Sequence, residues 1–255
     1  MTEHVIITDD GPIRLVRLNR PAKKNALTGE MFDALTAALE GAAAGDIRCI
    51  VLAGGPGAFC AGADLQDFRD AAQHDGLRPQ AKRFLRSLAE AGKPLVAAVQ
   101  GIAVGIGTTM LLHCDFVVLA ENAQLSTPFV NLALVPEAAS SLLLPLRIGY
   151  ARAYEMFALG EPVDAKTALT LGIANRVVPL DKLHAEAAHV AARLAKLPTG
   201  SLATTKKLMR NAGVLLAQIG AESERFAERL QTAEAREAFA AFAEKRAPDF
   251  AKVAG

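Results

Sequence analysis

One stretch decides the fold of this chain: Cys49-Ile50-Val51-Leu52-Ala53-Gly54-Gly55-Pro56-Gly57, an unbroken apolar run that ends in a glycine-rich turn. Unbroken runs of this length predict strands that are buried on both faces, as in the parallel sheets of α/β proteins. Residues 95–107 repeat the pattern, with an apolar run followed by glycines at positions 101, 105 and 107. Because ligands of α/β proteins bind at the carboxyl ends of strands, the two turns are the first candidates for a binding site.

Strands and helices alternate around these two runs. Residues 5–8 and 13–18 flank the turn-forming segment Asp9-Asp10-Gly11-Pro12, which predicts a β-hairpin. Thr28 is a candidate cap for a helix. Other predicted elements are a helix over 80–91, a short helix over 108–113, a strand over 116–119, and, beyond residue 147, helices interrupted by a strand over 175–178. The alternation predicts an α/β fold with a mainly helical C-terminal third.

The composition excludes several functional classes. The 255 residues suit one compact domain with a smaller appendage, and their net charge of +1, without a block of like charges, argues against nucleic acid as a partner. The uncharged stretch 94–112 is interrupted by three glycines and Gln100, which does not fit a membrane span. Residues 1–10 lack the basic and apolar regions of a secretory signal, so a cytoplasmic enzyme with no membrane partner is expected.

The three cysteines, Cys49, Cys60 and Cys114, lie among apolar or small residues, without the spacing that metal or redox sites use. Buried, reduced thiols are their expected state. No cluster of His, Asp and Glu has metal-ligand spacing, and the sequence therefore predicts no metal site. His113 lies in an apolar run, where a core histidine is more common than a catalytic base.

The glycine turns do not match a nucleotide-binding motif. Gly105 and Gly107 supply the first pair of a G-x-G-x-x-G fingerprint, but Met110 occupies the third glycine position. Small residues let backbone N–H groups approach a ligand closely, and the start of a helix adds unpaired N–H donors. Two such turns facing one another would form an oxyanion hole, although turns of this kind between a strand and a helix are often purely structural.

Glu137 is the only charged residue between Glu121 and Arg147. In an apolar setting the pKa of its carboxyl group is expected to be raised, because burial disfavours the charged form, and a raised pKa suits proton transfer from carbon. The structural alternative is that Glu137 begins a helix after Pro136, since acidic residues favour the first turn of a helix.

Several segments recur in the order and spacing of one known family. They are Leu18-Asn19-Arg20-Pro21, Asn25-Ala26-Leu27, Phe59-Cys60-Ala61-Gly62-Ala63-Asp64-Leu65, Lys93-Pro94, Gly101-Ile102-Ala103-Val104-Gly105, Cys114-Asp115, Leu171-Gly172 and residues 242–250. In these segments nearly the whole chain resembles the enoyl-CoA hydratase/isomerase, or crotonase, family. The resemblance implies a crotonase-like spiral of β-β-α turns over residues 1–196 and a helical C-terminal region, residues 197–255, used in trimerisation.

The resemblance also implies a ligand, its contacts and an assembly. The ligand is an acyl-CoA thioester, so coenzyme A enters as part of the substrate and no separate cofactor is expected. The assembly is a homotrimer or a dimer of trimers. The implied oxyanion hole lies on the backbone N–H groups of Ala63 and Ile106, and the implied coenzyme A contacts are Lys24, Ala61, Asp64 and Leu65, with Phe242 and Lys245 reaching the nucleotide of a neighbouring subunit. Four of these side chains also have structural interpretations: Lys24 and Lys245 as solvated charges, Phe242 as helix packing and Asp64 as a helix cap.

The chain departs from the hydratases at the positions of their two catalytic glutamates. These positions hold Thr109 and Phe129, which cannot supply the base and the acid of a hydration reaction. The segment from Pro136 to Ser140, with Glu137, resembles instead the Δ3,Δ2-enoyl-CoA isomerases, which use a single glutamate. The resemblance therefore implies a double-bond shift from C3 to C2 through an enolate, with Glu137 as the sole acid and base.

Two other functions stay open at this point. One is another enolate-forming reaction on the same frame, hydration of an enoyl-CoA included. The other is a catalytically silent acyl-CoA-binding subunit, because both hydratase glutamates are missing. In each case the acyl pocket is expected to be shaped by Phe84, Leu85, Leu88, Phe129 and Leu132.

Overall fold

The computed structural model describes residues 2–43, 45–64 and 77–253. Within those residues ten strands form two sheets. The strands are β1 (Val5–Asp10), β2 (Ile13–Leu18), β3 (Cys49–Ala53), β4 (Ala58–Cys60), β5 (Leu95–Val99), β6 (Ile102–Val104), β7 (Phe116–Ala120), β8 (Gln124–Ser126), β9 (Val163–Asp164) and β10 (Arg176–Val178). The larger sheet has the order β1-β2-β3-β5-β7-β10, and the smaller sheet has the order β4-β6-β8-β9.

Ten α-helices lie in the same described residues. They are α1 (Gly29–Gly41), α2 (Pro79–Glu90), α3 (Ile106–Thr109), α4 (Ser140–Ile148), α5 (Tyr150–Leu159), α6 (Ala165–Thr170), α7 (Leu183–Ala195), α8 (Thr199–Met209), α9 (Ala212–Leu230) and α10 (Ala233–Glu244). Short 3₁₀ helices are present over Pro21–Lys23, Met110–His113, Val130–Leu132, Leu180–Lys182 and Phe250–Lys252. The C-terminal third is mainly helical, as the sequence predicts.

The chain alternates between the two sheets. β3, β5 and β7 lie side by side and parallel in the larger sheet, and the strands that follow them, β4, β6 and β8, lie side by side and parallel in the smaller sheet. Helices return the chain to the larger sheet, with α2 between β4 and β5 and α3 between β6 and β7. This arrangement confirms the predicted α/β fold and its spiral of β-β-α turns.

The larger sheet is covered on both faces, which explains the unbroken apolar sequence of β3. Ile50 and Leu52 belong to the main core, together with apolar side chains of α1 and α2. Cys49 and Val51 face the other way and belong to a second cluster with α7. Burial of an aliphatic side chain of this size contributes about 1.5–3 kcal/mol. The run is therefore apolar throughout because neither face of the strand meets water.

The predicted local elements are present, with shifted ends. The N-terminal hairpin extends through Asp10 and turns over Gly11 and Pro12. The Thr28 hydroxyl accepts a hydrogen bond from the Met31 N–H at 3.4 Å and begins α1.

The three cysteines are buried and unpaired, in agreement with the expectation of buried thiols, and burial raises the pKa of each to about 12.

Sequence patterns miss the smaller sheet. β4, β6 and β8 have three residues each and β9 has two, which is too short to establish a period of two residues. β4 and β6 lie inside the segments that the sequence predicts as glycine turns. Their pairing with one another, rather than their own residue pattern, makes them strands.

The C-terminal helices α9 and α10 fold back over the spiral. Leu215, Ile219, Phe226 and Leu230 of α9 belong to the main core, and α9 packs against α2. The walls of the core therefore come from both ends of the chain. In the described part of the chain no helix combines the length and the apolar character that crossing a bilayer requires.

Gly101 lies where the chain passes from β5 to β6. Its φ is +59°, and a Cβ there would lie 2.3 Å from the Gly57 carbonyl oxygen. We expect Gly101→Ala to lower the free energy of unfolding by at least about 2 kcal/mol, because the backbone conformation and the contact both resist a methyl group. Gly220→Ala, at an exposed position of α9 with open space around it, should be neutral or stabilising by up to about 1 kcal/mol. Urea unfolding measures both, and equal stabilities would contradict the prediction.

Candidate active site

A cavity of about 370 Å³ lies beside β4 and β6. Its walls are mostly apolar, and α1, α2, α9 and α10 all contribute to them. Five residues that the sequence predicts for the site line this cavity: Ala61, Ala63, Ile106, Glu137 and Phe242. The fold therefore brings both glycine-rich segments and the isolated carboxyl group to one place.

The Ala63 N–H points away from Leu27, the residue whose backbone anchors the loop that carries Ala63. The Leu27 N–H donates to the Gly62 carbonyl at 2.8 Å, and the Asp64 N–H donates to the Leu27 carbonyl at 2.8 Å. In a parallel pairing of this kind the intervening residue directs its own N–H to the opposite side. Within residues 2–43, 45–64 and 77–253 the Ala63 N–H has no backbone acceptor, so it is available to a ligand in the cavity.

Ile106 is the first residue of α3, where backbone N–H groups have no partner within the helix. The Thr108 N–H donates to the Gly105 carbonyl at 2.8 Å, whereas the Ile106 N–H has no backbone acceptor among the described residues. Gly107 lets the start of α3 approach β4 closely, since a Cβ there would lie 2.5 Å from the Cys60 carbonyl oxygen. This contact fixes the second donor segment against the first.

Glu137 is the acidic side chain of the cavity. It is 7% exposed, and its Oε1 accepts a hydrogen bond from the Thr109 hydroxyl at 2.5 Å. Burial raises the pKa of Glu137 to about 8, while the Thr109 hydrogen bond lowers the pKa and the charge of Glu222 raises it. A carboxyl group with this pKa takes up and releases protons close to neutral pH.

Glu137 precedes a turn that is formed by two alanines in a left-handed conformation. Ala138 and Ala139 have φ values of +62° and +54°, which residues with a Cβ rarely adopt. His113 Nε2 lies 2.7 Å from the Ala138 carbonyl oxygen, and the Ala139 N–H donates to Glu222 at 2.6 Å. Contacts from distant segments therefore impose the conformation that the local sequence disfavours.

His113 is a buried, neutral histidine. Burial, followed by the charge of Arg210, lowers the pKa of its ring to about 3. The neutral ring makes two hydrogen bonds: Nε2–H donates to the Ala138 carbonyl, and Nδ1 accepts from the Arg210 guanidinium. His113 lies in the core behind the turn that follows Glu137, which supports the structural interpretation over that of a catalytic base.

The two positions that hold glutamates in the hydratases have other contacts here. Thr109 donates its hydroxyl hydrogen to Glu137. Phe129 lines the cavity and packs against Phe157, with ring centroids 6.2 Å apart. Thr109, at the first position, therefore supports the Glu137 carboxyl group, and Phe129, at the second position, makes the cavity wall apolar.

The predicted coenzyme A contacts differ in where they lie. Ala61 lines the cavity, and its N–H donates to the Lys24 carbonyl at 2.9 Å, so that the Lys24 backbone lies beside it. The Lys24 side chain is exposed. Asp64 forms an ion pair with Arg20 at 2.5 Å and so fixes the loop that carries Ala63. Leu65 lies outside the described residues.

Phe242 and Lys245 lie at the C-terminal end of α10. Phe242 lines the cavity of its own chain and is 57% exposed. Its contact with a nucleotide bound to a neighbouring subunit stays a prediction. Lys245 ends α10 in a left-handed conformation and is exposed, and it is not among the described residues that line the cavity.

The prediction of the acyl pocket is partly wrong. Phe84 and Leu88 do not line the cavity but are fully buried in the core, where Phe84 packs its ring against α1. The reason is that α2 is apolar on two faces, and Ala81 and Leu85 occupy the face toward the cavity. The other predicted pocket residues that line it are Leu85, Phe129 and Leu132.

Sequence reasoning misses several residues around the site. Arg78, Phe226 and Arg246 line the cavity, and Glu222 holds the turn after Glu137. Glu222 lies 83 residues beyond the backbone group that it binds, so no local spacing connects the two. The one sequence signal that marks Glu222 is its place on α9, where it is an acidic residue on an otherwise apolar face of the helix.

Comparisons with known proteins agree with the fold. Residues 9–253 match the family described as enoyl-CoA hydratase/isomerase. The chain is 33% identical over 252 residues to the 2,3-dehydroadipyl-CoA hydratase of Escherichia coli K12, covering 96% of this chain and 98% of that protein. It is 34% identical over 213 residues to enoyl-CoA delta isomerase 2 of Rattus norvegicus, covering 81% and 54%. A crystal structure of an enoyl-CoA hydratase/isomerase from Pseudoalteromonas atlantica T6c has a TM-score of 0.91 and 40% identity, covering 97% and 100%.

The fold and the matched relatives define an acyl-CoA enzyme. The chain belongs to the enoyl-CoA hydratase/isomerase family, as its sequence motifs predict. Its relatives carry the names of both hydratases and isomerases. The reaction must therefore be inferred from the side chains of the cavity.

Burial of Glu137 makes stability depend on pH. Its pKa in the folded protein is raised from 4.5 to about 8, so the folded state binds the proton more tightly than the unfolded state. Between these values the free energy of unfolding should fall by up to about 1.4 kcal/mol for each unit of rising pH. The Glu137→Gln protein has no carboxyl group at this position, so its free energy of unfolding should not fall in this way. In urea unfolding we expect the free energy of unfolding of Glu137→Gln minus that of the wild type to be larger at pH 9 than at pH 5. A difference between the two proteins that is the same at both pH values would contradict the raised pKa of Glu137.

Proposed function

We propose that the protein is a Δ3,Δ2-enoyl-CoA isomerase, which shifts the double bond of an acyl-CoA thioester from C3 to C2. One observation carries the proposal: Glu137 is the sole carboxyl group among the described residues that line the cavity. One acid/base group suffices for a proton transfer from C2 to C4. Hydration needs in addition a group that activates water, and Thr109 and Phe129 do not ionise in the required range.

The mechanism moves one proton and leaves the composition of the substrate unchanged. The Glu137 carboxylate removes a proton from C2 of the 3-enoyl thioester, and the electrons of the C–H bond form a dienolate with negative charge on the thioester oxygen. The N–H groups of Ala63 and Ile106 donate to that oxygen; loss of one donor of this kind slows such steps about a hundred- to a thousandfold. Glu137 then returns its proton to C4, which leaves the double bond between C2 and C3.

The apolar walls serve the same chemistry. Loss of water around Glu137 strengthens it as a base because the charged form is no longer solvated. Leu85, Phe129 and Leu132 line the cavity, and an acyl chain against them would displace water from the dienolate. We propose an aliphatic acyl chain as the group that occupies this space.

Coenzyme A is proposed to lie at the entrance formed by the Lys24–Ala61 contact. The exposed Lys24 side chain is suited to an anionic ligand. Asp64 acts by holding the Ala63 loop through Arg20, and Phe242 closes the cavity from α10. No separate cofactor is required, because coenzyme A is part of the substrate.

Residues 197–255 are proposed to form the assembly region of a homotrimer or a dimer of trimers. Leu208 and Met209 of α8 are 84% and 83% exposed. Apolar side chains this exposed favour a surface that other subunits cover.

Hydration of a 2-enoyl-CoA is the second candidate, because the chain is 33% identical to a protein named as a hydratase. The Thr109 hydroxyl is bonded to Glu137 and carries no charge that would activate water. We expect hydration to be slow compared with isomerisation. A silent acyl-CoA-binding subunit is the remaining alternative, and it would bind the thioester without exchanging the C2 proton in deuterated water.

Glu137→Gln tests the proposed function directly. We expect the purified protein to convert 3-enoyl-CoA esters to conjugated 2-enoyl-CoA esters, followed by ultraviolet absorbance over a panel of chain lengths. Replacing the acid/base group should lower kcat about a hundred- to ten-thousandfold. Glu121→Gln, an exposed glutamate outside the cavity, is the matched control and should retain full activity.

Two results would overturn the isomerase proposal. One is a wild-type protein that hydrates crotonyl-CoA but leaves every 3-enoyl-CoA unchanged. The other is a Glu137→Gln protein with full isomerase activity.

The activity should rise with pH, since Glu137 must be ionised to accept the C2 proton. We expect kcat/KM to increase through an apparent pKa of about 8. Of the titratable groups near Glu137, Cys60 has a pKa of about 12 and His113 a pKa of about 3, so neither titrates in this range. Burial also raises the pKa of Glu222, although its hydrogen bonds to Ser141 and Ala139 oppose the shift. Thr109→Val removes the bond that lowers the Glu137 pKa and should move the profile to higher pH. A profile that is flat from pH 6 to 9 would contradict the role of Glu137.

A further inference from the structure

A buried glutamate of α9 binds the turn that carries Glu137. Glu222 is 6% exposed. One carboxylate oxygen accepts the Ala139 N–H at 2.6 Å, and the other accepts the Ser141 N–H at 2.9 Å and the Ser141 hydroxyl at 2.5 Å. All of these partners are donors, so each favours the charged carboxylate, whereas burial acts in the opposite direction and raises the pKa of Glu222.

These hydrogen bonds fall on the backbone directly after Glu137. Ala138 and Ala139 both have positive φ values, so the turn is not held by the preferences of its own residues. His113 holds the Ala138 carbonyl at 2.7 Å from one side, and Glu222 holds the Ala139 N–H from the other. Rotation of either peptide group would change the direction in which the Glu137 side chain leaves the backbone.

Glu222 also fixes the start of α4. A carboxylate at this end of a helix is favoured by the unpaired N–H groups and the helix dipole. Gln218, one turn earlier on α9, donates to the Ser141 hydroxyl at 2.8 Å. The turn and the first residues of α4 are therefore attached to one face of α9.

We propose that Glu222 is a positioning residue for Glu137: by binding the Ala139 and Ser141 N–H groups it sets the direction in which the Glu137 carboxyl group enters the cavity. The inference rests on the proposed function of Glu137 as the proton carrier. Glu222 is not among the described residues that line the cavity, so it acts through the turn and not on the substrate.

Glu222→Gln keeps the size of the side chain but places an amide NH2 group where donors already point. We expect kcat for isomerisation to fall about a hundredfold while KM stays within about twofold, because the reacting group is displaced and the binding surface is not. Glu224→Gln changes an exposed glutamate on the same helix and should keep wild-type kinetics. A folded Glu222→Gln protein with wild-type kcat overturns the proposal.

Infrared difference spectra give a second readout that needs no substrate. Subtracting the spectrum of a matched protein with Glu137→Gln isolates the carbonyl band of protonated Glu137, and loss of this band with rising pH gives the titration midpoint. Removing the Glu222 charge should move the midpoint to lower pH. A loss of kcat with an equal rise in KM and an unchanged midpoint indicates general loosening of the fold and overturns the proposal.

Glu222→Asp carries the test if Glu222→Gln does not fold. It keeps the charge and shortens the side chain by one CH2 group, and we expect kcat to fall about tenfold at unchanged KM; an unchanged kcat overturns the proposal. Wild-type protein that is inactive on every 3-enoyl-CoA overturns the proposed function alone. A crystal structure of Glu222→Gln then still decides the role of Glu222, since an unchanged turn over Ala138 and Ala139 with an unchanged direction of the Glu137 side chain overturns it.

Discussion

Burial of the Glu137 carboxyl group is the constraint on which the site depends. In an apolar cavity the charged form loses its hydration, and the pKa rises to about 8. A carboxylate in water is a weak base toward carbon, whereas this group is both more basic and still able to ionise near neutral pH. The Thr109 hydroxyl stabilises the charge with one short hydrogen bond, and it occupies a position where a second carboxylate would have raised the pKa further. The surroundings thus set the pKa of the one carboxyl group among the described residues that line the cavity.

The two backbone donors depend on the alternation between the sheets. Ala63 follows β4 and Ile106 follows β6, and these strands are parallel neighbours in the smaller sheet. Parallel neighbours end at the same edge of a sheet, so the two N–H groups reach one cavity without any contribution from their side chains. Side-chain substitution leaves such donors in place. Under the proposed function, these two N–H groups would hold the enolate oxygen, and the side chains of Thr109, Phe129 and Glu137 would determine where protons go.

The sequence predicts those features that are encoded locally. β3 and β5 follow from unbroken apolar runs, and Glu137 stands out as an isolated charge in an uncharged segment. The family motifs add Ala63 and Ile106, which no residue pattern would single out. The smaller sheet is missed because strands of two or three residues are defined by their pairing. Glu222 is missed because its partners lie about eighty positions earlier, and a contact of that range leaves no local pattern.

The helices α9 and α10, which contribute to the cavity wall, are the last helices to be translated. A nascent chain that has emerged only as far as α8 already carries Glu137, Thr109 and both backbone donors. It lacks Phe226 and Phe242 on the cavity wall, and it lacks the carboxylate that braces the turn at Ala139. The wall of the cavity is therefore complete only after the last two helices have been translated and have packed against the spiral.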